Sequence, residues 1–106
     1  MGDFVTVATI DELQPGGEPI VVEIGSRWVA VFNIEGTYYA IEDVCTHDDG
    51  PLAEGEIDGC TIACPRHGAK FDITSGKVLS APAFSDVASY AVRVEGNKIQ
   101  VGGRKK

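Results

Sequence analysis

The sequence predicts an all-β domain of antiparallel strands, and three observations carry that prediction. Apolar and β-branched residues come in short runs. Turn residues separate the runs, in "PGGEP" (15–19), "EGT" (35–37), "DDG" (48–50), "DG" (58–59), "SGK" (75–77) and "EGN" (95–97). Gly and Asn tolerate positive φ and so close hairpins. Finally, a helical pattern is almost absent: only "IDELQ" (10–14) suggests a turn of helix, which Asp11 would cap and Pro15 would soon end.

Taken in order, the predicted strands are 4–8, 20–24, 27–34, 37–42, 60–63, 69–73, 87–94 and 98–101. Phe4, Val5 and Val7 open the first. In the third, Trp28 alternates with Ala30 and Phe32 on one face, which predicts core or sheet cover for Trp28. In the fourth, Tyr38 and Tyr39 point to opposite faces if the strand is regular. Cys60 shares a face with Ile62, which predicts a small buried hydrophobe. With 106 residues, no repeat, no linker and no low-complexity tract, the chain reads as one domain spanning 1–106.

Charge narrows the function. The formal net charge is −7. Three of the nine cations are the last three residues, so residues 1–103 hold six cations against sixteen carboxylates. A phosphate backbone or an anionic membrane would repel such a surface, so neither nucleic acid nor membrane is an expected partner. No apolar run is long enough to span a bilayer, and the first residues lack the basic start and apolar stretch of a secretory signal. The expected location is the cytoplasm, where thiols stay reduced and three cysteines suggest metal binding or packing before disulfides. From Trp28 to Pro65 there is no Lys or Arg, while half of all the acidic residues fall there. Asp48 and Asp49 either solubilise a loop or meet a basic partner. Arg66 and Lys70 are lone cations expected to pair with the acidic run.

Both histidines of the chain stand beside a cysteine, as Cys45-x-His47 and, after sixteen intervening residues, Cys64-x-x-His67. Two thiolates and two imidazoles form a transition-metal ligand set. Gly50 and Gly68 follow the pairs, so each pair can lie at a tight loop tip, and the residues between can form a hairpin with its turn at Asp58-Gly59. Zinc fingers usually take two cysteines from one loop and two histidines from a helix end. Here each loop offers one of each. A two-iron cluster with both cysteines on one iron and both histidines on the other explains that mixture, since each loop then touches both irons. A catalytic Cys–His pair would leave the second pair unexplained.

At these residues the chain resembles Rieske-type [2Fe-2S] ferredoxins, the small electron carriers of bacterial aromatic-ring dioxygenase systems. The match covers C-x-H…C-x-x-H at Cys45, His47, Cys64 and His67, continues through "CPRHGAKFDITSGKVLSAPAF" (64–84), and extends more loosely over the whole chain. The resemblance implies a Rieske iron-sulfur fold: an antiparallel β sandwich with a small inserted cluster-binding subdomain at about 43–82. It implies one [2Fe-2S] cluster held by Cys45, His47, Cys64 and His67, and a covering loop containing Pro82. It implies a monomeric one-electron carrier, not itself an enzyme, between a flavin-dependent reductase and a terminal oxygenase. The oxygenase chemistry would need two more histidines for a mononuclear iron, and none remains. Respiratory relatives add a disulfide at positions that are Gly50 and Arg66 here, and hydroxyl donors at positions that are Ala69 and Phe71 here. Lacking these, the cluster is expected at the low end of a Rieske range of about −150 to +300 mV. Two other readings remain open on the residues alone: a tightly bound accessory subunit of a larger reductase, of the nitrite reductase small-subunit type, and a zinc-stabilised interaction module.

Overall fold

The computed structural model describes residues 4–44, 52–65, 68–81 and 85–105. Among these residues, nine strands run in chain order: β1 (Val5–Thr9), β2 (Ile20–Ile24), β3 (Arg27–Ile34), β4 (Thr37–Glu42), β5 (Glu56–Asp58), β6 (Thr61–Ala63), β7 (Lys70–Asp72), β8 (Ser89–Glu95) and β9 (Lys98–Lys105). They form a six-stranded sheet in the order β1-β9-β8-β4-β3-β2 and a three-stranded sheet in the order β5-β6-β7. Every strand pairing is antiparallel. The small sheet falls between β4 and β8 in the chain, so it is an insertion into the framework of the large one.

β3 explains why the two sheets stay together. Its run "VAVF" is buried on both faces, which is why it reads as continuously apolar. Ala30 and Phe32 join Ile41 of β4 and pack against Ile62 and Phe71 of the small sheet. Val29 and Val31 face the other way, onto Ile99 and Val101 of β9 with Leu13 and Ala40. Since β9 lies three places from β3 in the sheet, that contact requires the large sheet to curl over on itself. Tyr38 and Tyr39 go to opposite faces as the pleat demands, one beside each cluster. Each fully buried Phe or Ile contributes about 1.5–3 kcal/mol to holding the layers closed.

Several expectations need correction. β5 is not among the expected strands: it is three residues long with a single apolar residue and exposed throughout, too short for its alternation to stand out in the sequence. Cys60 is exposed, not a buried hydrophobe. The strand starts at Thr61, which pairs with Asp58, leaving Gly59-Cys60 as the two central residues of the hairpin turn. Gly59 takes φ +62° there, a conformation its missing Cβ permits at low cost. Trp28 is 53% exposed, although Ala30 and Phe32 on the same face are buried, because the small sheet does not extend over that end of β3. The helical turn is a 3-10 turn at Ile10–Glu12 capped by Thr9, not Asp11. The Thr9 N–H donates to Glu12 Oε1 at 2.8 Å. β9 continues to Lys105, four residues past the expected end, because its backbone keeps pairing with β8 as far as Ser89. Lys70 is exposed and makes no ion pair among the described residues.

Candidate metal centre

Strand registers bring three loop bases to one end of the small sheet. Ala63 pairs with Glu56 on one side and Lys70 on the other, so the chain before β5, the chain after β6 and the chain into β7 meet there. Each loop is closed by its own hydrogen bonds. The Cys64 N–H donates to the Ala69 carbonyl at 2.7 Å, and the Gly68 N–H donates to the Cys64 carbonyl at 2.9 Å. One Asp43 carboxylate oxygen, Oδ1, accepts from the Leu52 N–H at 2.8 Å and from the Ala53 N–H at 2.7 Å, tying the two ends of segment 44–51. The third loop, after Leu79, is closed where the Leu79 N–H donates to the Lys70 carbonyl at 2.7 Å and the Lys70 N–H to Ser80 Oγ at 3.2 Å. The Val78 N–H donates to Asp86 Oδ1 at 2.8 Å and pins the return of that loop.

The bases also pack tightly on one another. A Cβ at Gly55 would stand 1.8 Å from the Ala63 carbonyl oxygen, so only glycine allows the first loop's return to lie against β6. Cys64 is 2% exposed and sits among Leu52, Ala69 and Phe71, each fully buried. Neither Ala69 nor Phe71 carries a hydroxyl. An anionic sulfur buried in such surroundings costs free energy unless a cation neutralises it, which a coordinated metal does directly.

Of the residues expected to ligate, Cys64 is described, and it stands at this meeting of loops. Cys45, His47 and His67 lie outside the described residues, as do Gly50, Asp48, Asp49, Arg66 and Pro82. Cys60 is at the opposite end of β6, on the Gly59-Cys60 turn, and takes no part. Asp43, Ser80 and Asp86 were missed from the sequence. Each has its partner eight to ten positions away, and no short motif marks that spacing. The arrangement fits a mixed thiolate–imidazole centre: a buried thiol where the bases of segments 44–51 and 64–68 meet, each segment carrying one Cys and one His in the sequence.

Comparison with known proteins agrees. A family model described as the Rieske [2Fe-2S] domain matches residues 3–91. The biphenyl dioxygenase ferredoxin subunit of Pseudomonas sp. (strain KKS102) is 36% identical over 99 residues, covering 92% of this chain and 90% of its own length. Ferredoxin CarAc of Metapseudomonas resinovorans is 34% identical over 103 residues, covering 97% and 96%. Among solved structures, the complex of reduced oxygenase and oxidized ferredoxin in carbazole 1,9a-dioxygenase contains a chain that superposes with TM-score 0.89 at 34% identity, covering 97% of this chain and 95% of that one. With its inserted three-stranded sheet, its buried cysteine and a family match over most of its length, the chain belongs to the Rieske [2Fe-2S] domain family.

Proposed function

We propose that the protein is a one-electron carrier that serves a terminal oxygenase and is not itself an enzyme. Family membership implies a [2Fe-2S] cluster, and the relatives are named as ferredoxin components and subunits of aromatic dioxygenase systems. The observation that carries the reading is the meeting of three hydrogen-bonded loop bases at buried Cys64. When bound, the cluster takes up one electron and gives it back without any bond being made or broken in a substrate.

The ligands assigned to it are Cys45, His47, Cys64 and His67, within a cluster-binding subdomain at about 43–82 of a single domain. Buried Cys64 would hold one iron with Cys45, and His47 and His67 the other, so that the histidine side would be the route for the electron. Leu52, Ala69 and Phe71 keep water from the Cys64 side and offer no hydroxyl donor to it. Fewer donors and a strongly acidic chain both disfavour added negative charge, so the potential lies at the low end of the Rieske range. A flavin-dependent reductase is the donor and the cytoplasm the location. No helix among the described residues is long and apolar enough to cross a membrane. Docking is brief, because a carrier must leave its partner to turn over.

Iron and acid-labile sulfide analysis, followed by EPR of the dithionite-reduced protein during a redox titration, tests the reading. The expected result is two irons and two sulfides per chain and a signal of histidine-ligated type appearing at low potential. Zinc without sulfide overturns it. Replacing His47 or His67 by Cys should lower the potential, and replacing Cys45 or Cys64 by Ser should abolish assembly; an intact cluster in the serine variants would remove those residues from the ligand set.

A further inference from the structure

The two sheets do not close against each other along one side, and the opening is chemically distinctive. Two confluent hollows of about 470 and 490 Å³ share Gly16, Gly17 and Ile57 and together form a groove between the edge strand β5 and a facing wall made by segment 15–19, Val21 of the edge strand β2 and the end of β3. It runs from Ala53 and Gly55, at the base of the first loop, to Gly59 at the far turn. Its interior is apolar. Ile57 points inward with Ile62 yet remains 36% exposed, and Val21 on the facing edge is 38% exposed. Its rim is acidic, with Glu18, Glu35 and Glu54, and no Lys or Arg lines it.

Glu35 adds an independent observation. It is the one non-glycine residue with positive φ among the described residues, at +53° in the β3–β4 turn, followed by Gly36 at +93°. That turn geometry favours Asn or Gly at this position, because the left-handed region strains a Cβ-bearing residue. A local cost is therefore accepted where a carboxylate meets the groove.

We infer that this groove is a docking seat for an extended, lysine- or arginine-bearing segment of a partner protein, which inserts apolar side chains between the sheets and sets its cations against the Glu18, Glu35 and Glu54 rim. Complementarity selects that occupant. A second copy of this chain would bring net charge −7 to an acidic rim. The free edge of β5 suits an extended segment, since a strand edge presents unpaired backbone groups and an apolar slot takes alternate side chains. The seat is built from described residues outside the expected ligand set, and it does not depend on the cluster's identity.

The test uses the full-length, cluster-loaded protein and an acetylated, amidated peptide alternating lysine with valine, about six residues long to match the reach of β5 and its flanks. The expected result is saturable amide shifts at Gly17, Val21 and Ile57, weakening with salt. Glu18→Lys with Glu54→Lys weakens the dissociation constant by about tenfold or more, whereas Asp11→Lys with Glu95→Lys, the same charge change away from the groove, moves it by less than about twofold. Glu35→Asn weakens binding while raising the unfolding midpoint, which separates lost docking from lost folding. Shifts located elsewhere, equal losses in the two double variants, or equal binding of a glutamate–valine peptide would each overturn the proposal.

Discussion

Asp43 is the residue whose replacement most directly probes how the candidate centre is built. Its Oδ1 accepts two backbone N–H groups across the base of segment 44–51, from Leu52 at 2.8 Å and Ala53 at 2.7 Å. Leu52 is fully buried, so in Asp43→Ala its N–H loses a charged acceptor and gains no water. Leaving such a group unpaired costs about 1–3 kcal/mol. Ala53 is half-buried and recovers part of its loss from solvent. Together the two bonds come to about 3 kcal/mol, which for a chain near 100 residues lowers the melting midpoint by roughly 12–24 °C. Asp43→Asn retains a carbonyl acceptor and loses only the charge assistance, so about 1 kcal/mol is expected. The assay follows far-UV circular dichroism and the visible absorbance of the loaded protein on heating, for all three proteins at equal loading. Visible bleaching should precede backbone melting in Asp43→Ala, because the base of a cluster loop opens first. The reasoning fails if Asp43→Ala melts within about 2 °C of the parent, which is well under the expected shift, or if Asp43→Asn is as damaged as Asp43→Ala.

Three further outcomes follow from the same geometry. Gly55→Ala forces a Cβ onto the Ala63 carbonyl, which is backbone and cannot rotate away, so denaturant unfolding should show a loss of about 3 kcal/mol or more. Phe71→Tyr adds a hydroxyl to the apolar surroundings of Cys64; one new donor worth about 1 kcal/mol to the reduced state raises the midpoint potential by roughly 40 mV in a redox titration, and an unchanged potential would detach Phe71 from the centre. In the folded, loaded protein a thiol reagent should modify exposed Cys60 and spare buried Cys64, and Cys60→Ser should remove that reactivity while leaving iron content and melting point unchanged.

What could be read in the sequence was whatever is written locally. Strands β2, β3 and β4 have the predicted bounds because their apolar runs and their Gly-containing turns adjoin one another along the chain. The two Cys/His pairs are likewise local, since a metal loop needs its ligands within a few residues. Long-range facts left weaker traces. β5 exists because Glu56, Ile57 and Asp58 find a partner in β6, and no property of "EID" announces a strand. Trp28 shows the converse: its alternation with Ala30 and Phe32 is correct as geometry, but burial depends on how far the inserted sheet extends over β3, and alternation carries no information about that.

The same limit accounts for the division of labour in the fold. Ligand identity is local and readable, whereas the placement of the loops rests on side chains such as Asp43, Ser80 and Asp86, whose bonds span eight to ten residues. Those bonds let the loops converge without a continuous sheet between the two layers, since each loop is closed at its own base. The small sheet can therefore be short, and a short sheet leaves β2 and β5 without strand partners on one side. The acidic groove follows from that economy: the construction that gathers the candidate centre at one end of the insertion also leaves its flank open, and the carboxylates of Glu18, Glu35 and Glu54 fit that opening to a basic segment.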